Sequence, residues 1–315
     1  MKLFKPKFWD LEKANFISIL LIPLSILIKF FVLIIKKTTK QNNFPISVIC
    51  VGNIYLGGTG KTPLTIKIFK MLKNIGKKPI IIKKIYQNQY DEMDLIKANV
   101  NDYIFLKSRK DSIKSAFSKS YNVAVLDDGL QDFSIKKDIS IVCFHENQLI
   151  GNGLTIPAGP LREDLKALEN CQIAIINGEK NLEFEKKIRT ISESIKIYYS
   201  KYIPLNIENF KNKNLLAFAG IGNPNNFFEI MEEYGLKILK KKFFPDHYAY
   251  SNFEIEQLVN EAAKDNLELI TTEKDFHRIK KLGFTNIKYL PINTIIHEEE
   301  KLLNQIKFYL KNENN

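Results

Sequence analysis

Cysteine is scarce in this 315-residue chain: Cys50, Cys143 and Cys171 are the whole supply, and they stand far apart. A disulfide framework and a cysteine-rich zinc site are therefore excluded, and a reducing compartment is favoured. Histidine is nearly as thin, with His145, His247, His277 and His297. Internal repeats and long low-complexity tracts are missing, which sets aside solenoid and compositionally biased architectures. Acidic residues fall short of basic ones, 35 against 47, leaving +12 and a pI near 9.3. Such a balance suits nucleic acid, an anionic membrane surface or a phosphorylated substrate. What is present is ordinary for a globular protein: 45% apolar and 26% charged residues rule out a disordered or fibrous chain. The length suits two domains or one large α/β unit.

The positive charge is concentrated. Residues 1–40 hold eight lysines against Asp10 and Glu12. Between them runs FISILLIPLSILIKFFVLII, residues 16–35, broken by Lys29 and Pro23 alone. As a helix it reaches about 30 Å, the thickness of a hydrocarbon core. It has no small-residue cleavage site and exceeds a signal-peptide core in length, so it stays on the chain. Lysines at both ends oppose a simple span, and a helix lying in the inner leaflet, bent at Pro23, is an equal reading. A buried core helix needs only one apolar stripe, which this segment exceeds. Membrane association is expected, with the topology open.

After a polar break, Ile46–Val51 reads as a buried strand, followed by a glycine-rich turn and by apolar residues at helical spacing from Leu64 to Leu72. The turn, Gly57-Gly58-Thr59-Gly60-Lys61-Thr62, ends as a Walker A loop does. Glycines let backbone N–H groups surround phosphates, Lys61 reaches the β and γ oxygens, and the Thr62 hydroxyl can ligate Mg²⁺. Tyr55 stands where that motif has its first glycine. A second short strand, 121–126, ends at Asp127-Asp128-Gly129. Carboxylates there can hold Mg²⁺ beside the phosphate loop, although Asp-Asp-Gly also makes a good turn.

These residues, in this order, resemble the tetraacyldisaccharide 4′-kinases of lipid A biosynthesis. The resemblance rests on the proline-bearing N-terminal helix, VGNIYLGGTGKTP at 51–63, LDDGLQD at 126–132, GNGLTIPAGPLRE at 151–163, AFAGIGNPNNFF at 217–228, FFPDHYAY at 243–250 and LITTEKDFHRI at 269–279. It implies a membrane-bound kinase on the cytoplasmic face of the bacterial inner membrane. Such an enzyme moves the γ-phosphate of ATP, with Mg²⁺, to the 4′-hydroxyl of a tetraacylated glucosamine disaccharide 1-phosphate. It further implies that Asp91 is the catalytic base, supported by His247, with Lys61 on the phosphates. Thr62, Glu92, Asp127 and Asp128 fall on metal positions. Tyr55, Leu56, Gly57, Gly58, Thr59, Gly60, Lys61, Thr62 and Gln131 fall on nucleotide positions.

The chain departs from the family in places. Lys83-Lys84-Ile85-Tyr86-Gln87 stands where the family has Ser-Arg-Gly-Tyr-Gly, and Gln131-Asp132 replaces a Gln-His pair. Arg109 is a candidate for a family arginine beyond Asp91, and Arg162 for contact with substrate phosphate. Two other readings share the phosphate loop: a membrane-tethered ATPase acting on another partner, and a non-catalytic ATP-binding homologue. No nucleic-acid reader motif accompanies the lysines, and nothing points to an obligate protein partner.

Alternating strands and helices predict a mostly parallel α/β sheet of P-loop NTPase type, flanked by helices, with a second, smaller α/β lobe. The proline-bearing stretch 201–214 marks the boundary. The expected organisation is therefore a membrane-associated helix at 1–40, a P-loop kinase lobe at 41–205 and a lobe closing the cleft at 206–315.

Overall fold

A computed structural model of the chain describes residues 6–86 and 90–310. Lys2 and Lys5 of the basic N-terminus, Gln87 of the departing stretch and the tail 311–315 lie outside the described residues.

Buried β-branched runs form an eight-stranded sheet in the order β12 (Ile292–Ile296), β7 (Lys196–Pro204), β6 (Ile173–Asn177), β5 (Ile139–His145), β1 (Ser47–Gly52), β4 (Val123–Asp127), β2 (Pro79–Lys84), β3 (Tyr103–Leu106). Neighbours run parallel except β7 and β12. Both faces are covered, which is why the central strands are apolar without alternation. Helices α2 (Lys61–Asn74), α3 (Tyr90–Asn99) and α9 (Glu299–Tyr309) pack on one face, and α4 (Arg109–Ser118) and α5 (Leu182–Ile191) on the other.

A second, all-parallel sheet has the order β11 (Lys288–Leu290), β10 (Glu268–Thr272), β8 (Asn214–Ala219), β9 (Lys237–Phe243). Helix α6 (Pro224–Glu233) covers one side, and α7 (Asn252–Lys264) and α8 (Glu273–Lys280) cover the other.

The lobe boundary expected from sequence needs one correction. The stretch 206–315 is not one lobe, because β12 returns to the large sheet, antiparallel to β7 with Thr294 opposite Tyr202. Helix α9 follows it and buries Leu302 and Ile306 against Leu64, Ile68 and Leu72 of α2. Each such side chain contributes about 2 kcal/mol by its removal from water. The segment at 201–214 is likewise only partly a linker, since β7 extends to Pro204.

Helix α1 (Phe16–Thr38) is capped by the Asn15 side chain and contains Pro23. Only 11% of its most apolar window is buried. Ser18, Ser25 and Lys29, spaced to share one helical face, attach it to the loop at 152–164. Ser25 Oγ donates to Thr155 O and accepts from Ala158 N, at 2.9 and 3.0 Å. Asn152 Nδ2 donates to Ser18 Oγ at 3.1 Å, and Lys29 pairs with Asp164. The remaining faces expose Phe16, Leu20, Leu24, Leu27, Phe30 and Phe31. The three cysteines are reduced and buried, and burial pushes the Cys50 thiol up to about 11.

Candidate active site

The carboxyl ends of both parallel sheets open onto one cavity of about 370 Å³, the place where open α/β folds put their ligands. From the large sheet come the residues after β1, the end of β4 and the start of α3. From the smaller sheet come the loops after β8, β9 and β10.

The turn between β1 and α2 has the backbone its glycines predict. Gly57 and Gly60 lie at φ 151° and 85°. Gly60 also has no room for a side chain, since a Cβ there would lie 2.1 Å from the Tyr202 hydroxyl. Leu56, Gly57, Gly58, Thr59, Gly60, Lys61 and Thr62 all line the cavity. The Thr59 hydroxyl is buried without a hydrogen-bond partner, as is Asn223 Nδ2 on the facing loop. Orphaned polar atoms of this kind, on a turn rich in backbone donors, fit a phosphate chain.

Asp127 is fully buried at the end of β4. It accepts from the Thr62 hydroxyl at 3.0 Å and from the Thr65 hydroxyl at 3.2 Å. Asp128, at φ 56°, does line the cavity, 3.9 Å from Lys61 Nζ. Arg162 Nη1 donates to both its oxygens, at 3.0 and 3.2 Å. Burial acts to raise the Asp128 carboxyl, but Lys61 and Arg162 outweigh it and hold it below its ordinary value. Arg109, buried in α4, donates to the Asp128 carbonyl and to Asp132. Asp132 also accepts from the Ser134 hydroxyl at 2.6 Å, so it fastens this loop.

Tyr55 and Gln131, expected at the nucleotide, do not line the cavity. The Tyr55 ring is buried in the large lobe, with its hydroxyl bonded to Asp10. The Gln131 amide is engaged by Asn53 O, Glu163 and Arg162.

Across the cavity, the first turn of α3 carries Glu92, which lines it, and Asp91, which is not among the lining residues and touches the cavity wall through His247 and Lys274. Asp91 is 3% exposed, so it is not a solvated acidic turn. Its Oδ1 lies 3.2 Å from His247 Nδ1. Its Oδ2 lies 2.5 Å from Arg278 and 3.3 Å from Lys274. Burial favours its neutral form, yet the His247 hydrogen bond and the Lys274 and Arg278 cations prevail and hold the carboxyl far below the usual carboxylate range. Arg278 is itself fixed by Asp275 and the Gly220 carbonyl. Lys274 also reaches Glu92 and Asp246, at 3.3 and 3.7 Å. Lys274, Arg278, Lys83 and Asn223 were not singled out from sequence. The polar run that follows a buried strand in TTEKDFHR carried the signal for the first two.

The two lobes meet at Gly58 and Gly222, where a Cβ on Gly222 would stand 2.4 Å from the Gly58 nitrogen. A phosphate loop facing a buried carboxylate with a histidine partner is the layout of a phosphotransferase, in which one side holds the donor and the other prepares an acceptor. The chain belongs to the LpxK family, tetraacyldisaccharide-1-P 4′-kinases, whose family model matches residues 17–311. It is 43% identical over 309 residues to the tetraacyldisaccharide 4′-kinase of Pelagibacter ubique, covering 97% of this chain and 98% of that one. It is 34% identical to the enzyme of the same name from Rickettsia canadensis, covering 97% of each. The solved structure of LpxK from Aquifex aeolicus in complex with ATP superposes with a TM-score of 0.72 at 23% identity, over 93% of this chain and 99% of that one. That likeness bears out the fold expected from sequence.

Proposed function

We propose that this chain transfers the γ-phosphate of ATP to the 4′-hydroxyl of a tetraacylated glucosamine disaccharide 1-phosphate at the cytoplasmic face of the inner membrane. The observation that carries the reading is the Asp91–His247 pair, with His247 lining the same cavity as Lys61. The phosphates would lie along residues 57–62, with Lys61 on the transferred group. Ile221, Phe227, Ile230 and Leu290 form an apolar wall of the cavity suited to the base. Asp91 accepts the proton of the attacking hydroxyl, and His247 orients its carboxylate. A carboxylate so well stabilised is a weak base, which suits a loose transition state that gathers the proton late.

Among the described residues no three His, Cys, Asp or Glu side chains group to hold a metal. Mg²⁺ in such sites takes one or two protein carboxylates, with phosphate and water, and at times a hydroxyl, completing its shell. The Thr62 hydroxyl and the Asp128 and Glu92 carboxylates border the cavity and fit that demand, while Asp127 orients Thr62. When bound, the ion supplies neutralisation of the β and γ oxygens.

Helix α1 is read as interfacial. A spanning orientation would carry the polar loop at 152–164, with Asp164, into hydrocarbon, whereas a flat one leaves Phe16, Leu20, Phe30 and Phe31 to the acyl layer. This puts the cleft beside an acylated acceptor. The test is transfer from labelled ATP to detergent-dispersed tetraacyl disaccharide 1-phosphate with Mg²⁺. Product from the wild type and none from Lys61→Ala supports the reading, and no product from folded, ATP-binding wild type overturns it.

A further inference from the structure

Lys83 opens the stretch that departs from the family pattern, and it is only 1% exposed at the end of β2. A lysine in a lysine-rich chain reads as solvated surface, but this one is enclosed by the site. Its Nζ lies 2.6 Å from Glu92 Oε2 and 2.8 Å from Asp127 Oδ2. Asp127 in turn accepts from Thr62 of the phosphate loop. The other Glu92 oxygen faces Lys274 at 3.3 Å and His247 Nε2 at 3.8 Å. One ammonium thus joins the loop that holds the donor to the helix that carries Asp91. A buried charge is tolerated when paired in this way, and Lys83 has two carboxylates against its single charge.

We propose that Lys83 is a positioning residue for this reaction. It clamps Glu92 to Asp127 and supplies a fixed charge that lowers the affinity of the site for a divalent cation. The inference deepens the kinase reading in its activity arm, while its metal arm needs no acceptor. With the ammonium present, an incoming cation meets a Glu92 carboxylate already paired with Lys83. Without it, the Glu92–Asp127 pair carries an added negative charge beside the cavity, which Glu92 lines, and α3 loses one of its ties.

The experiment compares full-length wild type, Lys83→Met and Lys83→Ser, the last leaving room for water beside the carboxylates. Mn²⁺ binding is measured by paramagnetic resonance with a non-hydrolysable ATP analogue, beside kcat, KM for ATP and circular dichroism. Both variants are expected to bind Mn²⁺ about tenfold more tightly, the order expected when one unit charge paired with Glu92 is removed. Their kcat is expected to fall at least tenfold with KM for ATP within threefold. Unchanged or weaker Mn²⁺ binding in a folded variant overturns the proposal, as does unchanged kcat. If Lys83→Met does not fold, Lys83→Ser decides, and failure of both to fold overturns it in favour of a purely structural lysine. A wild type that transfers no phosphate while the Mn²⁺ shift persists defeats the kinase reading and leaves the charge assignment standing.

Discussion

The phosphate loop draws its groups from one continuous stretch, residues 57–62, set between β1 and α2 of a single lobe. The group facing it is gathered from three elements in two lobes: Asp91 and Glu92 on α3, His247 after β9, and Lys274 and Arg278 on α8. A local site keeps its geometry whenever its own lobe is folded. An assembled one exists only while the lobes are together, with Gly58 against Gly222. The grip on the phosphates and the preparation of the acceptor are therefore separable, whereas the apolar wall suited to the base, Ile221, Phe227, Ile230 and Leu290, already needs the smaller lobe.

The largest effect is expected on the local side. Lys61→Ala should lower kcat by about 10³-fold, the scale of removing one charge-stabilising donor from a transfer site, with an unchanged melting curve. Asp91→Asn tests the assembled side. Turnover should fall roughly 10²-fold, as loss of a general base does, while calorimetric ATP affinity stays within threefold. A matching loss of ATP affinity would break the separation. Gly222→Ala marks its limit, because the new methyl must displace the Gly58 backbone. A cost of about 1–2 kcal/mol for such overpacking predicts roughly tenfold losses in both kcat and ATP affinity, because Gly58 belongs to the phosphate loop.

The smallest effect concerns pH. Burial, against the hydrogen bond His145 donates to Asn226 and the nearby Glu146 and Glu229, lowers the His145 pKa. The unfolded chain then binds a proton that the folded one refuses, so stability is retained above the ordinary histidine value near 6.5 and declines as pH falls below it. His145→Gln should lessen the fall in melting temperature between pH 7.5 and 5.5, with the remainder due to His277, whose pKa burial also lowers. The depressed Asp91 and Glu92 carboxyls contribute stability above about pH 4, which is lost only under stronger acid.

The same contrast explains what the sequence disclosed. A glycine-rich turn between a buried strand and a helix is local, and so is a pair of aspartates ending a strand, so residues 57–62 and 127–128 were legible. Lys83, Lys274 and Arg278 were not, because a cation's partner is a matter of tertiary approach and lysine is abundant throughout. The surroundings of Tyr55 were hidden for the same reason: its position in the motif says nothing of Asp10, to which its hydroxyl bonds. The lobe boundary failed at β12, since an edge strand of five residues carries no mark of the sheet it will join.

That returning strand bears on how the chain is made. The ribosome releases residues in order, so the smaller lobe, complete by β11, is finished while the large sheet still lacks β12 and α2 still lacks its cover from α9. The phosphate-binding lobe, though begun first, is the last to close its core. Until then the apolar α2 face, with Leu64, Ile68 and Leu72, lacks the part of its cover that Ile296, Leu302 and Ile306 supply.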